Sequence, residues 1–340
     1  MKAVVFEQHG EPSQVLQVRD IPQAEPGPGQ VRVRMLCSPI NPSDLLVVRG
    51  RYGTLPNLPA SPGFEGVGIV EAYGGGLYGK LLVGKRVAVL NRRAGNWREQ
   101  VIIPATEAFP YVPRALPDEQ VATLFVNPAT AWIMVTDVLK VARGAFLLQT
   151  AAGSSLGKMV IRLGQHLGFQ TINVVRRQDT ADQLKKLGAE HIINTAQEDL
   201  TERIADITQG KGVRYAIDAV GGETGAKLLD CLGTHGRMLV YGALDDKPIP
   251  LPARALIMGS KIVQGFWLAD WVRQRSPLKM LFLLRKVGKM ISQGVLTSEI
   301  AVTYPLEKVS EAVRAAETPG RQGKILLKMA ESKSTVNLKV

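Results

Sequence analysis

The segment FLLQTAAGSSLG, residues 146–157, decides the fold of this chain. A short apolar run, typical of a buried strand, leads directly into a turn of small residues, and a helical pattern follows over Lys158–Leu167. A second apolar run, TINVV at 171–175, comes after that helix. Strand, turn, helix and strand make a βαβ unit, whose turn lets backbone amides approach a pyrophosphate at the helix N-terminus.

Two arginines, Arg176 and Arg177, follow the second strand of this unit. Enzymes that use NAD usually end this strand with Asp or Glu, which binds the ribose 2′-hydroxyl. Two guanidinium groups suit a 2′-phosphate instead, because each can donate paired hydrogen bonds to it. The sequence therefore predicts NADPH as the cofactor.

Further short apolar runs alternate with helical patterns through the middle of the chain. Helices are predicted at Thr180–Leu187 and Glu223–Leu232. Buried parallel strands are predicted at HIIN (191–194), YAID (215–218), RMLVY (237–241) and KIVQ (261–264). Six strands in this order predict an α/β, doubly wound parallel sheet, which we assign to a Rossmann cofactor domain over residues 122–298.

Residues 1–121 have a different pattern, rich in Pro and Gly. Short strands at Gln30–Met35, Gly68–Val70 and Arg86–Leu90 are separated by turn signals, which predicts a mostly β domain. After the cofactor domain the chain returns to strand, helix and strand, at Ile300–Tyr304, Leu306–Ala316 and Lys324–Lys328. This segment is too short to hold a core alone, so we expect residues 299–340 to complete the first domain, with a polar tail at Glu331–Val340.

Composition limits the class of protein. The chain has 340 residues, 45% hydrophobic and 21% charged, as in ordinary globular proteins. No apolar run approaches the roughly 18 residues of a membrane span, and the N-terminus reads as a strand rather than a targeting segment. Two cysteines, Cys37 and Cys231, are too few for a disulfide framework. We expect a soluble, cytoplasmic protein that does not bind membranes.

A net charge of +12 is compatible with three interpretations. Basic surfaces attract nucleic acid, acidic substrates such as a CoA thioester or an acyl carrier protein, or only solvent and counterions. The basic residues are dispersed and no nucleic-acid-binding motif accompanies them, which argues against nucleic acid.

Seven short words in order carry a family resemblance. They are INPSD (40–44), GRYGTLP (50–56), GNWR (95–98), TLFVNPATA (123–131), TINVVR (171–176), LGAEH (187–191) and GFWLADW (265–271). With the domain order, they resemble the medium-chain dehydrogenase/reductase superfamily over nearly the whole chain. Within it they are most similar to the zinc-free trans-2-enoyl thioester reductases of mitochondrial type, with the quinone oxidoreductases as near relatives. The resemblance implies a GroES-like first domain and a homodimer formed through the cofactor domains.

The residue set argues against a zinc site. Zinc-dependent members of the superfamily have a histidine ligand in a Gly-His-Glu word, where this chain has Gly63-Phe64-Glu65, and a phenyl ring cannot ligate a metal. A structural zinc site needs four closely spaced cysteines. The chain has only four histidines, at positions 9, 166, 191 and 235, as further possible ligands.

Reduction of an α,β-unsaturated thioester without zinc needs a group that handles the charge. Hydride adds to the β-carbon, an enolate develops on the carbonyl oxygen, and the α-carbon takes a proton. The resemblance implies that Tyr52, on a glycine-flanked loop, is the catalytic tyrosine, since a phenol can donate a hydrogen bond or a proton to an enolate. It also implies that Trp267 borders the substrate and that Asn41 and Ser43 line the same cleft. Each aromatic side chain could instead be a packing residue.

The resemblance and the βαβ reading together give a set of cofactor contacts. They comprise Asn127 and Thr130 at the domain junction, the turn Gly153, Ser154, Ser155, Leu156 and Gly157, the charged group Arg176, Arg177 and Gln178, the loop Tyr241, Gly242, Ala243 and Leu244, the segment Phe266, Trp267, Leu268 and Ala269, and Lys324 from the returning segment. Ser155 stands where relatives usually have Gly, and Gln178 where they have a second basic residue.

An apolar helical pattern with a basic face covers Arg273–Lys289. Such a face could dock an acidic carrier protein, or it could only be solvated. Three functions stay open: reduction of enoyl thioesters, an NADPH quinone oxidoreductase in which Tyr52 matters little, and a non-catalytic NADPH- or RNA-binding protein of the crystallin type.

Overall fold

The strands that the sequence predicts are present, among others, in the computed structural model, which describes residues 1–91, 93, 95–110 and 113–329. The predicted tail at 331–340 lies outside the described residues. Numbered in chain order, the strands are β1 (Lys2–Val5), β2 (Gln17–Asp20), β3 (Gln30–Pro39), β4 (Glu65–Tyr73), β5 (Arg86–Leu90), β6 (Gln100–Pro104), β7 (Ala108–Phe109), β8 (Phe146–Gln149), β9 (Gln170–Val175), β10 (His191–Asn194), β11 (Val213–Asp218), β12 (Leu232–Val240), β13 (Ile262–Gly265), β14 (Ile300–Pro305) and β15 (Lys324–Lys328).

The α-helices are numbered in the same way. They are α1 (Pro12–Val15), α2 (Pro42–Val48), α3 (Leu77–Leu82), α4 (Asp118–Ala122), α5 (Val126–Ile133), α6 (Ser155–Leu167), α7 (Gln178–Lys186), α8 (Leu200–Thr208), α9 (Gly222–Cys231), α10 (Ala253–Ile257), α11 (Leu268–Arg273), α12 (Pro277–Ser292) and α13 (Val309–Glu317). A π-helical turn, Met134–Val138, extends α5, and two 3-10 turns lie at Ala105–Glu107 and Leu306–Lys308. Within the described ranges, no helix is long and apolar enough to cross a membrane.

The chain divides into two compact units. Unit 1 comprises Met1–Phe125 and the segment that begins at Ser298, and unit 2 comprises Val126–Thr297. Each unit has its own sheets and its own buried apolar clusters.

Unit 2 contains the doubly wound sheet that the sequence predicts. Six strands lie in the order β10-β9-β8-β11-β12-β13, and every pair is parallel. Counted from β8 this is the order 3-2-1-4-5-6, with the reversal of strand order between β8 and β11. The predicted fold class is therefore confirmed. In such sheets the cofactor binds at the carboxyl ends of the strands beside that reversal.

The burial of these strands explains their composition. In β8, Leu147 and Leu148 are fully buried, because helices cover both faces of a parallel sheet. Residues of β8, β9 and β11 pack with α8 and α9 in one apolar cluster. Helix α6 ends at Gly168, whose φ of 82° is the left-handed conformation that favours glycine at a helix end.

Unit 1 is built on a seven-stranded sheet. Its strands run β14-β15-β3-β4-β5-β7, with β6 paired to β3 as well. The returning segment adds β14 and β15, and β15 pairs antiparallel with β3. Trp97, from the GNWR word, is fully buried in the core of this unit, where its indole N–H donates to the carbonyl oxygen of Pro39 at 3.3 Å.

One predicted element differs from the structure. The apolar pattern over Arg273–Lys289 was expected as one helix, but α11 ends at Arg273 and α12 begins only at Pro277. Ser276 caps α12, because its hydroxyl accepts from the N–H of Lys279 at 3.4 Å. Proline has no N–H and is well suited to a first helical position, so the chain restarts the helix here rather than continuing it.

Candidate functional site

The turn between β8 and α6 leaves backbone donors at a helix N-terminus. Ser154 caps α6, and its Oγ accepts from the N–H of Gly157 at 3.0 Å. Helix geometry leaves the N–H groups of Ser155 and Leu156 without an intrahelical acceptor. These donors and the helix dipole together would favour an anion, and the structure places the predicted residues 153–157 together at this helix N-terminus.

Two glycines of this turn are required by close contacts. A Cβ on Gly157 would lie 2.5 Å from the carbonyl oxygen of Ala152, and a Cβ on Gly153 would lie 2.3 Å from the Cγ2 atom of Thr180. The first contact is with backbone, which cannot move aside, so Gly157 permits the close approach of α6 to the turn residue Ala152. The turn also needs a left-handed residue, and Ala151 takes it with φ of 47°.

The residues after β9 present positive charge to solvent. Arg176, Arg177 and Gln178 are all exposed, and Arg177 is also the N-cap of α7. The guanidinium of Arg177 forms an ion pair with Asp179, which raises the pKa of the arginine. Gln178 donates to Asp182 at 2.9 Å. A 2′-phosphate near β9 would therefore meet two guanidinium groups, one of them already paired with Asp179.

Asp218, at the carboxyl end of β11, organises the sheet edge beside this turn. It is fully buried and accepts from the Thr150 hydroxyl at 2.6 Å. It also accepts from the N–H groups of Val220 and Gly221, each at 3.0 Å. Asp218 was not predicted as a site residue, although an acidic residue that ends a buried strand shortly before two glycines, Gly221 and Gly222, indicates such a role. Asp218 fixes the loop after β11 beside the point where the strand order reverses.

The loop Tyr241–Leu244 lies against the segment that Asp218 fixes. Tyr241 donates its N–H to the carbonyl oxygen of Asp218 at 2.9 Å, and Leu244 donates to that of Ala219 at 3.0 Å. A Cβ on Gly242 would lie 2.8 Å from the same Ala219 oxygen. Gly242 is therefore needed for this close approach, and the loop is held at the carboxyl edge of the sheet.

Two hydroxyls at this edge fit a cofactor that accepts hydrogen bonds. The hydroxyl oxygens of Ser155 and Tyr241 are buried and find no hydrogen-bond partner within the described part of the chain. Burial and the nearby Asp218 raise the pKa of the Tyr241 phenol, so it keeps its proton at neutral pH. Buried hydroxyls normally have partners. Together with the anion-binding turn, these orphaned donors match the phosphate and ribose oxygens of a dinucleotide.

The segment after β13 and helix α5 hold the remaining candidates of unit 2. Phe266 donates its N–H to the carbonyl oxygen of Val240 at 2.8 Å, which places the start of 266–269 beside the loop after β12. Trp267 occupies the N-cap position of α11, and the residue is 37% exposed. The guanidinium of Arg273 lies 5.2 Å from the centre of the Trp267 ring. Asn127 and the buried Thr130 lie on α5, which packs against α6.

In unit 1, Tyr52 lies beside Phe64. The two ring centres are 5.2 Å apart with an interplanar angle of 41°, and both rings pack partly buried against the core. Phe64 belongs to the Gly63-Phe64-Glu65 word, so an aromatic side chain of that word is the neighbour of the predicted catalytic tyrosine.

A buried polar network joins Asn41 and Lys324. The Lys324 ammonium, which is almost fully buried, donates to Asn41 Oδ1. Asn41 Nδ2 donates to Glu65 Oε1 at 2.9 Å, and Glu65 Oε2 accepts from the Phe125 N–H at 3.0 Å. Lys324 stays a predicted cofactor contact, since an ammonium has three donors and this hydrogen bond uses one of them. Glu65 was missed as a site residue, although it completes the Gly63-Phe64-Glu65 word.

Asp44 is joined to this network through the backbone of Asn41. It is fully buried, and its two oxygens accept from the N–H groups of Asn41 at 2.7 Å and Phe64 at 3.0 Å. Burial raises the pKa of Asp44 to about 7, against the lowering effect of its two N–H bonds and of Lys324. Burial also lowers the pKa of Lys324, while Glu65 and Asp44 raise it. Ser43, one residue before Asp44 on α2, is half-buried.

The donor set near this network does not suit zinc. Cys37 is buried, and burial raises the pKa of its thiol well above the usual range. Phe64 offers no donor atom. Among the described residues, no group of three or more His, Cys, Asp or Glu side chains is placed to hold a metal ion.

Two protein families match the chain. The alcohol dehydrogenase GroES-like domain matches residues 27–113, and the zinc-binding dehydrogenase family matches residues 155–286. The first lies in unit 1 and the second in unit 2.

Curated relatives and solved structures agree with these matches. The human mitochondrial enoyl-[acyl-carrier-protein] reductase is 35% identical over 336 residues, which cover 97% of this chain and 89% of the relative. Quinone oxidoreductase of Escherichia coli, solved in complex with NADPH, has a TM-score of 0.88 at 28% identity and covers 96% of this chain and 100% of its own. A 2-haloacrylate reductase has a TM-score of 0.83 at 29% identity, with coverages of 96% and 99%.

Proposed function

This chain belongs to the medium-chain dehydrogenase/reductase superfamily of oxidoreductases, and we propose that it reduces the α,β double bond of trans-2-enoyl thioesters with NADPH. Two names among its relatives support a reduction of this kind. One is named an enoyl reductase, and the other is named a haloacrylate reductase; an acrylate also has a double bond α,β to its carboxyl group. The family match confirms the resemblance that the seven sequence words carry.

The residues of unit 2 fit the phosphates and ribose of NADPH. The N–H groups at the start of α6 and the Ser155 hydroxyl would hold the pyrophosphate, and Arg176 with Arg177 would hold the 2′-phosphate. The Tyr241 hydroxyl would donate to a ribose or carboxamide oxygen. NADPH, when bound, supplies the hydride that adds to the β-carbon of the substrate.

The observation that carries the proposal is the pair Tyr52 and Phe64. The thioester oxygen needs an electrophile or a hydrogen-bond donor as negative charge develops on it. The Tyr52 phenol, whose ordinary pKa is near 10, can donate a hydrogen bond to that oxygen throughout the reaction. As the enolate collapses, the phenol or a solvent molecule that it orients delivers a proton to the α-carbon.

The reaction is tested by following NADPH oxidation with trans-2-butenoyl-CoA and longer enoyl thioesters, beside a panel of quinones. We expect turnover with the thioesters and little with the quinones. The reverse preference would contradict the proposal. Tight NADPH binding without turnover on either panel would favour the binding-protein alternative.

A quinone oxidoreductase is the second candidate function. The structural likeness to the Escherichia coli enzyme favours it, since the same scaffold there carries the name of a quinone oxidoreductase. Reduction of a planar quinone does not require a protein acid that protonates an α-carbon. Tyr52→Phe would therefore leave the rate of quinone reduction nearly unchanged. The same substitution distinguishes the two candidates with one protein sample.

We propose further that an acidic carrier protein, which carries the substrate, docks on the exposed face of α12. We name this surface the α12 face. Residues 271–298 contain six Lys or Arg and no Asp or Glu. Leu278 and Phe282 are 61% and 59% exposed at the start of the helix, and Arg285, Lys286 and Lys289 are exposed further along. An apolar end beside a cationic end complements the acidic, amphipathic helices that carrier proteins present.

Charge reversal tests the α12 face. We expect Arg285→Glu, Lys286→Glu and Lys289→Glu together to raise KM for a carrier-linked enoyl thioester at least tenfold, while KM for the CoA thioester changes little. A matched control reverses Lys185, Lys211 and Lys227, which are exposed elsewhere in unit 2. Equal effects on both substrates, or an equal effect of the control, would contradict carrier docking.

A homodimer through unit 2 is also part of the proposal. Strand β13 ends the six-stranded sheet, and Ile262 on it is 49% exposed. Ile257 and Met258, just before that strand, are 76% and 61% exposed. A second copy that paired with β13 would cover this apolar edge. Light scattering on the wild type and on Ile262→Lys tests this dimer, since the lysine should lower the molar mass if β13 forms the interface.

The cytoplasmic location predicted from the two cysteines remains a prediction.

A further inference from the structure

We propose that Phe64 is a positioning residue, which holds the Tyr52 ring so that its hydroxyl reaches the reacting oxygen. The inference rests on the proposed function, because it assigns a role through Tyr52. The observation that carries it is the contact between the Phe64 and Tyr52 rings.

Tyr52 needs such support because its own segment is irregular. It lies after α2 in a stretch without regular secondary structure, between Gly50, whose φ is 72°, and Gly53. The Tyr52 and Phe64 ring centres are 5.2 Å apart and tilted by 41°, a favourable arrangement for two aromatic rings. A ring contact of this kind limits the rotamers that the tyrosine can adopt.

Phe64 can fulfil this role because its backbone is fixed on both sides. Its N–H donates to Asp44 Oδ1 at 3.0 Å, and its carbonyl oxygen accepts from the Asn91 N–H at 2.8 Å. Gly63 before it has a φ of 105°, and a Cβ there would lie 2.5 Å from the Trp97 ring. Asp44 and Trp97 are both fully buried. The phenyl ring therefore projects from one of the most constrained backbone positions of unit 1.

The energy of the contact gives the expected size of the effect. An aromatic pair contributes enough orientation free energy to change a rate by about 3- to 10-fold. Loss of the Phe64 ring should therefore lower kcat by that factor while the KM for NADPH stays near the wild-type value, since the cofactor contacts lie on unit 2. A residue that only stabilised the fold would not lower kcat of the folded enzyme.

A double-mutant cycle on the full-length enzyme tests the inference. We expect Phe64→Leu to lower kcat for an enoyl-CoA about 3- to 10-fold when Tyr52 is present, and to have no further effect in the Tyr52→Phe background. Phe64→Tyr, which keeps the ring, should restore kcat to near wild type. Phe64→Met, whose flexible side chain fills the space, gives a second loss-of-ring variant if Phe64→Leu folds poorly.

Tyr304→Leu is the matched control, because Tyr304 is a half-buried aromatic residue on the same core cluster. It should lower the thermal midpoint without coupling to Tyr52. Equal kcat losses from Phe64→Leu in both backgrounds would overturn the positioning role and leave the proposed function intact. An unchanged kcat in Tyr52→Phe alone would overturn both, so the two failures are distinguishable.

Discussion

Replacement of Asp44 by asparagine tests whether the buried carboxyl group of Asp44 is protonated in the folded protein below about pH 7. Asp44 is fully buried, and burial raises its pKa from 3.8 to about 7, although two N–H groups donate to it and Lys324 is close. Between pH 3.8 and about pH 7, the Asp44 carboxyl group is therefore protonated in the folded protein and ionised in the unfolded chain. The free energy of unfolding therefore falls as the pH rises through this window.

The magnitude follows from the shift. Each pKa unit corresponds to about 1.4 kcal/mol, so a shift of about three units makes the wild type lose about 4 kcal/mol between about pH 4 and pH 7. Asparagine cannot titrate, and the variant lacks this slope. Its amide also places a donor opposite one of the two N–H groups, which costs about 1–3 kcal/mol at every pH.

The assay is urea unfolding of both proteins at a series of pH values, followed by tryptophan fluorescence. Glu65 and Lys324 are coupled to Asp44, and the other titrating groups are common to the two proteins, so the difference between their unfolding free energies reports Asp44 together with these two neighbours. We expect the wild type to be more stable than the variant by about 1–3 kcal/mol at pH 4 and less stable by about 1–3 kcal/mol at pH 7, with little further change above that pH. An advantage that grew with pH would refute the reasoning, because it would mean that the N–H bonds and Lys324 outweigh burial.

Three further outcomes are expected. Tyr52→Phe should lower kcat for enoyl thioesters about 10²- to 10⁴-fold with little change in NADPH affinity, and an unchanged kcat in steady-state assays would remove its role as acid. Arg176→Ala should raise KM for NADPH about 10- to 100-fold and leave KM for NADH within about threefold, since one charge-assisted bond to the 2′-phosphate is lost; equal changes for both cofactors would contradict this assignment. Gly157→Ala should destabilise unit 2 by about 1–3 kcal/mol and weaken NADPH binding in calorimetry, because the new Cβ would lie 2.5 Å from the Ala152 carbonyl oxygen; a variant with wild-type stability and affinity would show that the turn can relax.

Local patterns were sufficient to predict the architecture of unit 2. Most residues of β8, β9 and β11 are buried because helices cover both faces of a parallel sheet, and the small residues between β8 and α6 are those that a tight turn requires. Helix boundaries depend on flanking residues as well. The break between α11 and α12 was therefore missed, although Ser276 and Pro277 carry the signal.

The sequence also indicated which segments carry the cofactor candidates, since each follows the carboxyl end of a strand. The residues at 153–157, 176–178, 241–244 and 266–269 follow β8, β9, β12 and β13. Because all six strands are parallel, these four segments lie at one edge of the sheet.

Only the tertiary structure decided how the polar residues of unit 1 are paired. Lys324 and Asn41 are 283 positions apart in the chain, yet they are joined by a hydrogen bond, and Glu65 and Asp44 complete their network. Glu65 and Asp44 were not predicted as members of such a network, and the contact of Lys324 with a cofactor stays a prediction. Apolar periodicity is a local property of a strand or helix, so it can be read along the chain. A buried polar group instead takes as its partner whichever segment the completed fold brings within about 3 Å, and no local pattern specifies that segment.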